Sequence, residues 1–292
     1  MRFRSLNYFY KKWITVVSFG LLLGMIACSS DTEFLRLKGS DTEVNLSVLL
    51  AEAFYKQNQS LQLSVSGGGS GLGIAALMNG LTDIANSSRP MNLEEERLFK
   101  EKKKEIIPYV FAHDAIAIVV HESLPLDSIS VEALRTIFSG KIRQWTFKQL
   151  PMTIYGRQSN SGTHSYLKQK LGIDFSLYAK EMNGNAQIIE AVKADKGGIG
   201  YAGAGYVIKN GKQQGTGFKI LKVYEKNALA YSPLDFDAVV HKKYYFQRPL
   251  YQYILKSSYA KALPLLTFEK SIEGQKIIIN NGYFPADIPV HE

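Results

Sequence analysis

Cysteine occurs once in the 292 residues, at position 28. With no second thiol an intrachain disulfide is excluded, and residues 29–292 offer no thiolate to a metal. Histidine is also sparse: the five residues, at 113, 121, 164, 241 and 291, show none of the paired spacing that a metal site needs. No metal and no other cofactor is therefore expected. Acidic residues are missing from positions 1–27, which hold Arg2, Arg4, Lys11 and Lys12. Without those four charges the formal +9 falls to +5, a mild and dispersed balance that attracts small anions and argues against nucleic acid. Repeats of fixed period and low-complexity tracts are absent, and no G-x-S-x-G elbow surrounds any serine.

What is present begins with a targeting segment. Basic residues up to Lys12 precede an apolar run from Trp13 to Ala27, followed at once by Cys28 and polar Ser29-Ser30-Asp31. The run is short for an uncleaved membrane anchor. Met25-Ile26-Ala27-Cys28 resembles a bacterial lipoprotein signal box, which implies cleavage before Cys28 and lipidation of its sulfur. The expected layout is a signal peptide over 1–27 and a linker over 28–33. The remaining length suits one large or two medium domains, and 46% hydrophobic residues suffice for a sizeable core.

From Phe34 onward short β-prone runs alternate with amphipathic helical runs, the pattern of an α/β fold. Strands are expected at 34–38 and 61–65, and a strand with its exit over 83–90; a helix follows the turn ending at Thr42, and further helices are expected at 72–81 and 93–105. Val44, Leu49, Leu50, Ala53 and Phe54 are expected to form the buried face of the first helix. Residues 106–111 and 115–120 read as two buried strands with Asp114 between them, a candidate crossing into a second domain. A helix over 131–138 follows, then a strand over 152–155 and a helix over 165–171 that stops at Gly172. Helices are expected at 175–182 and 186–195, strands at 199–202, 218–224 and 251–255, and two helices over 256–280.

Four strand exits share one chemistry: Gly39-Ser40-Asp41-Thr42, Gly69-Ser70-Gly71, Ser87-Ser88-Arg89, and Arg157 to Thr163. Each carries hydroxyls, with glycine, arginine or both. A helix start presents unpaired amides and partial positive charge, so an oxyanion held there meets donors already in place. In the fourth turn Gly162 allows close backbone approach, Ser161 and Thr163 add hydroxyls, and Arg157 adds a charged fork matched to a tetrahedral oxyanion. Ser161 as a plain helix cap and Arg157 as a surface charge is the competing reading. The glycine run at 67–71 fits neither the dinucleotide nor the Walker pattern, because Leu72 falls on the third glycine position and no lysine follows. Ligands of open α/β sheets sit beyond the carboxyl ends of strands, so a cleft between two domains is the economical arrangement. Catalysis is not demanded: His164 beside Ser161 points elsewhere on a helix start and is expected to be exposed.

These turns, together with Ile137-Phe138-Ser139-Gly140, Gly198-Ile199-Gly200-Tyr201 and Arg248-Pro249-Leu250-Tyr251, resemble in order and spacing the phosphate-binding proteins of ABC transporters, over essentially the whole chain after Cys28. The resemblance implies a two-lobed type 2 periplasmic binding protein fold with the ligand cleft between lobes. The lobes are expected over 34–115 with 230–292, and over 116–229. It implies no enzyme but a monomeric lipoprotein of the bacterial cell envelope, anchored through Cys28 and facing the periplasm or exterior. Such a protein would capture inorganic phosphate by hydrogen bonds and deliver it to an inner-membrane ABC permease. Ser40, Thr42, Ser70, Ser88 and Arg89 would serve from the first lobe, and Arg157, Ser161, Gly162 and Thr163 from the second. Where family members place an aspartate that accepts the phosphate proton, this chain has Ser88, leaving Asp41 or Ser88 for that role. A sulfate-like oxyanion as ligand, an uncoupled sensor or surface lipoprotein, and a phosphate-releasing hydrolase using Ser161 stay open as alternatives.

Overall fold

The computed structural model of the chain describes residues 33–147 and 149–286; the apolar run, Cys28 and His291 lie outside them. Eleven strands form one curled sheet. They are β1 (Glu33–Gly39), β2 (Leu61–Ser66), β3 (Ile84–Ser87), β4 (Ile106–His121), β5 (Ser128–Ser130), β6 (Thr153–Arg157), β7 (Lys180–Met182), β8 (Gly198–Gly203), β9 (Phe218–Tyr224), β10 (Gln247–Leu255) and β11 (Phe284–Pro285). The main path runs β2-β1-β3-β10-β4-β8-β6-β7, and β9 and β11 also pair with β4. The α-helices among the described residues are α1 (Asp41–Gln57), α2 (Ser70–Met78), α3 (Leu93–Glu101), α4 (Val131–Phe138), α5 (Gly162–Leu171), α6 (Asn185–Ala194), α7 (Phe236–Val240), α8 (Tyr259–Lys270) and α9 (Ile272–Asn280). No helix among the described residues is long and apolar enough to cross a membrane.

β4 is the spine. Its first half pairs antiparallel with β10, from Ile106 opposite Leu255 to Ala115 opposite Gln247, while Ile116–Val120 pair with β8. The hydrophobic core divides at the same place. Phe111 and Ala112 pack with Leu35, Leu46, Leu50, Phe54, Leu250 and Leu265. Ala115 to Val120 pack with Leu134, Phe138, Ile154, Leu167, Ile188 and Tyr201. Two halves therefore share one continuous strand, each with its own core.

Local sequence explains most elements. α4 buries Val131, Leu134, Ile137 and Phe138, a helical spacing, and the Ser130 hydroxyl caps it by accepting from the Ala133 amide. α3 opens with a reciprocal capping box between Asn92 and Glu95. α1 buries Leu46, Leu50 and Phe54. Its apolar face is thus rotated from the expected one, since Leu49 is exposed and Val44 and Ala53 are only half-buried. Phe54 meets Phe268 edge-on at 5.7 Å, and fully burying such a side chain contributes about 1.5–3 kcal/mol.

Three further expectations are corrected. Residues 106–121 form one strand instead of two, because Asp114 is matched across the ladder by Arg248, whose charge removes the need to interrupt it. Residues 175–182 form no helix: Lys180–Met182 pair with β6, and Phe175 packs against Phe138, His164 and Tyr201. Sheet pairing and aromatic packing override the local helical spacing. Val239, Val240, Tyr244 and Phe246 pack in the core around Ile116–Val120, although residues from 230 were expected in the first lobe. The Tyr244 hydroxyl donates to the Ile116 carbonyl at 2.6 Å, so the chain returns to the first half only at β10.

Glu269 on α8 is buried, and burial pushes its carboxyl up to about 8. Gln252 donates to one oxygen at 2.8 Å and the other has no hydrogen-bond partner. The folded protein thus keeps this proton between about pH 4.5 and 8, where the unfolded chain has released it, and stability falls as pH rises through that window. Glu269→Gln is expected to raise the melting temperature at pH 8 and change it little at pH 4.5. Its effect on the wild-type slope is at most about 1.4 kcal/mol per pH unit, read from thermal melts across the range.

Candidate functional site

The N-termini of α1, α2 and α5 meet at the junction of the two halves. Each follows a strand, so the expected strand-turn-helix construction holds at all three. Thr42 and Thr163 face each other with their hydroxyl oxygens 3.1 Å apart, both buried. Ser70 and Ser88 hydroxyls lie 3.4 Å apart, and the Ser88 amide donates to the Ser70 oxygen at 3.1 Å. Ser161 caps α5, its hydroxyl accepting from the Thr163 amide at 3.2 Å. Gly162 packs directly on the serine pair. A Cβ there would stand 2.2 Å from the Ser70 hydroxyl and 2.5 Å from that of Ser88, so glycine is required by close approach.

The turn around the glycine run seals the junction. Gly69 has φ +100°, a conformation side chains rarely adopt, and a Cβ there would also strike the Asn160 carbonyl at 2.8 Å. The Asn160 side-chain amide donates to the Gly68 carbonyl at 3.1 Å, and the Gly71 amide donates back to the Asn160 carbonyl at 3.3 Å.

Arg157 is 2% exposed. Its Nη2 pairs with an oxygen of Asp41 and donates to the Asn183 carbonyl at 2.9 Å, while its Nε is buried without a partner. The other Asp41 oxygen accepts from the Gly68 amide at 2.9 Å. Asp41 is therefore the counter-ion of Arg157 and braces the glycine turn. Ser40 is buried just before α1, its amide donating to the Asn86 carbonyl, and makes no side-chain cap.

The Arg89 guanidinium forms a fork with Glu95, both bonds at 2.7 Å, and donates to the Pro90 carbonyl, while its Nη2 lies 3.7 Å from where a Cβ on Gly71 would stand. Glu95 also belongs to the capping box of α3, so Arg89 fastens that helix to the strand exit. His164 is half-buried, not exposed: its Nδ1 bonds the Arg157 carbonyl at 3.0 Å and its ring packs on Phe175 at 4.6 Å. Burial lowers the imidazole below its ordinary value, with the Arg157 carbonyl bond opposing. No group of three or more metal-type side chains occurs among the described residues.

Three buried ionisable side chains behind the hydroxyls were not named as site residues. Arg248, 1% exposed, donates to Asp114 through Nε at 3.1 Å and Nη2 at 2.8 Å. The same Nη2 reaches the hydroxyls of Thr42 at 3.2 Å and Thr163 at 3.0 Å, and Nη1 reaches the Ser88 carbonyl at 3.0 Å. Burial pushes Asp114 above its ordinary value, and Arg248 and the Ala204 amide pull against it. Glu43 is fully buried one residue after Thr42, and burial raises its carboxyl well above the ordinary range against the pull of Arg248. The signal for Glu43 was Ser40-Asp41-Thr42-Glu43, a capping-box pattern that this helix does not form. For Arg248 and Asp114 the signal was a single buried charge inside each apolar strand.

A profile of the PBP superfamily domain matches residues 27–268. The chain belongs to the PBP superfamily. Among relatives of this superfamily member is Protein SphX of Synechococcus elongatus, 32% identical over 77% of this chain and 68% of that protein. The Phosphate-binding protein PstS of Pseudomonas aeruginosa is 27% identical over 87% of this chain and 83% of its own length. A phosphate ABC transporter substrate-binding protein from Clostridium perfringens, solved with bound phosphate, superposes with a TM-score of 0.77 at 21% identity, covering 87% of this chain and all of that one. Its likeness supports the two-lobed binding-protein fold.

The two arginine pairs differ in burial, and their loss should differ accordingly. Arg248→Met leaves Asp114 buried and unpaired, expected to cost about 3–5 kcal/mol. Arg89→Ala, at a pair whose side chains keep 13% and 15% of their exposure and so some contact with water, is expected to cost less, about 1.5–3 kcal/mol. Urea unfolding of both variants beside the wild type measures the gap.

Proposed function

We propose that this protein is an extracytoplasmic solute-binding component that captures inorganic phosphate at the junction and delivers it to an ABC permease. The observation that carries the reading is the convergence, from both halves, of three helix N-termini, five hydroxyls and Arg157 with its unpartnered buried Nε. Helix N-termini favour anions through their free amides and dipoles, and a guanidinium adds a charge-assisted bond. The relatives named for phosphate binding support the same ligand. Thr42, Ser70 and Ser88 would serve from one half, and Arg157, Ser161, Gly162 and Thr163 from the other. Cys28, directly after the apolar run, supports anchoring of a monomer to a bacterial membrane by lipid, with the site facing the periplasm or exterior.

Ser88 takes the role of acceptor for the phosphate proton. Thr42 and Thr163 oxygens accept from Arg248, Ser70 from the Ser88 amide, and Ser161 from the Thr163 amide. Ser88 is the one hydroxyl of the five whose oxygen is held by no N–H group among the described residues. Asp41 is occupied by Arg157 and Gly68.

Calorimetric titration of protein stripped of endogenous ligand tests this. The wild type should bind phosphate in clear preference to sulfate, and Arg157→Ala should remove binding. Ser88→Ala should narrow the preference about tenfold, the worth of one hydrogen bond to a charged partner, whereas Asp41→Asn should weaken both anions alike. Equal binding of phosphate and sulfate by the wild type would make the site a general oxyanion receptor.

A further inference from the structure

Resting on the assignment of phosphate to the junction, we propose that Arg248 is a positioning residue of the site, fixing Thr42 and Thr163 as hydrogen-bond donors from opposite halves. A hydroxyl carries one proton and two lone pairs, so an oxygen that already accepts from a fixed N–H is left to donate. Both threonine oxygens lie within 3.2 Å of the same Nη2, which also holds Asp114 at 2.8 Å. That nitrogen has two hydrogens for three acceptors, so the threonines share its second hydrogen across the junction. Their own protons are then turned away from Arg248, toward one another or toward an anion bound beside both.

The surroundings hold this orientation. Arg248 is 1% exposed and has Nε and Nη1 committed to Asp114 and the Ser88 carbonyl, so its fork cannot rotate away. Asp114 accepts from the Ala204 amide at 3.0 Å, which ties the fork to the end of β8. On the other side the Tyr283 hydroxyl donates to the Thr42 carbonyl at 2.5 Å and that of Tyr206 to the Asp41 carbonyl at 2.6 Å, fixing the first turn of α1. A lysine would keep the charge opposite Asp114 but cannot place donors on Ser88 and both threonines at once.

The test is a double-mutant cycle on the full chain, read by equilibrium dialysis with labelled inorganic phosphate. Arg248→Lys is expected to weaken phosphate binding at least tenfold with an unchanged folded-state circular dichroism spectrum. In a Thr42→Ala/Thr163→Ala background, weakened but retaining Arg157, Ser70 and Ser161, the same change should cost less than twofold. The pair Arg248→Gln with Asp114→Asn, which leaves no unpaired buried charge, provides a second probe should the lysine variant fail to fold, with the same pattern expected. Equal losses in both backgrounds would reduce Arg248 to a structural role and overturn the proposal. A wild type that binds no phosphate would overturn the reading beneath it, and that result needs no variant.

Discussion

A buried guanidinium facing a buried carboxylate holds this structure where its two cores meet. Asp114 sits midway along β4, where one core gives way to the other, and Arg248 sits directly opposite on β10. Taking two charges out of water costs several kcal/mol each, and their attraction offsets that only when the remaining hydrogen-bonding groups are also satisfied. Here Nε, Nη1 and Nη2 all donate, and Asp114 receives Arg248 twice and the Ala204 amide. A hydrophobic pair would hold the crossing at lower desolvation cost but could orient no hydroxyl. The ion pair contributes geometry: it fixes, at one point, the turn after β3, the first turn of α1 and the first turn of α5.

The second constraint is backbone proximity. Three helices aim their N-termini at one place, and their amides and dipoles add because glycine stands wherever a side chain would intervene. At Gly162 the missing Cβ lets α5 rest on the Ser70 and Ser88 hydroxyls, and at Gly69 it lets the turn rest on Asn160. The charges at the junction are otherwise balanced in pairs, Arg157 with Asp41 and Arg248 with Asp114. A site built from neutral donors and paired charges orients its ligand by hydrogen bonds, and its attraction for anions in general stays modest.

The strand-turn-helix construction at Thr42, Ser70 and Arg157 was legible because its signals are local: a β-prone run, a glycine or hydroxyl, then helical spacing. The convergence of these turns was inferred from the rule that α/β sheets bind ligands at strand ends, together with family resemblance. What the chain does not display locally is which distant charge answers which. The sequence shows Arg89 at a strand exit but not its fork with Glu95, six residues on. Arg248 looks like a misplaced charge in an apolar strand until Asp114, 134 residues away, is found opposite. The helical spacing of 175–182 is genuine, but three aromatic partners and the edge of β6 outweigh it. Each miss is a case of tertiary partners overruling a short-range pattern.

A serine in the acceptor position sets a different limit from a carboxylate. A carboxylate has no proton to give at neutral pH and repels a fully ionised anion, whereas a hydroxyl can turn and donate. Ser88 discriminates, then, only so far as its own proton is engaged elsewhere. The neighbouring Ser70 oxygen offers that engagement, already accepting the Ser88 amide at 3.1 Å and lying 3.4 Å from the Ser88 hydroxyl. With Ser88 donating there, Ser70 would, on the proposed reading, turn its proton to the anion, and Ser88 would present lone pairs to a protonated phosphate. Gly162 presses on both oxygens and leaves little room for another arrangement. In the proposed site, selectivity would consequently depend on packing between the halves, since loosening that contact would free Ser88 to rotate and become one more donor.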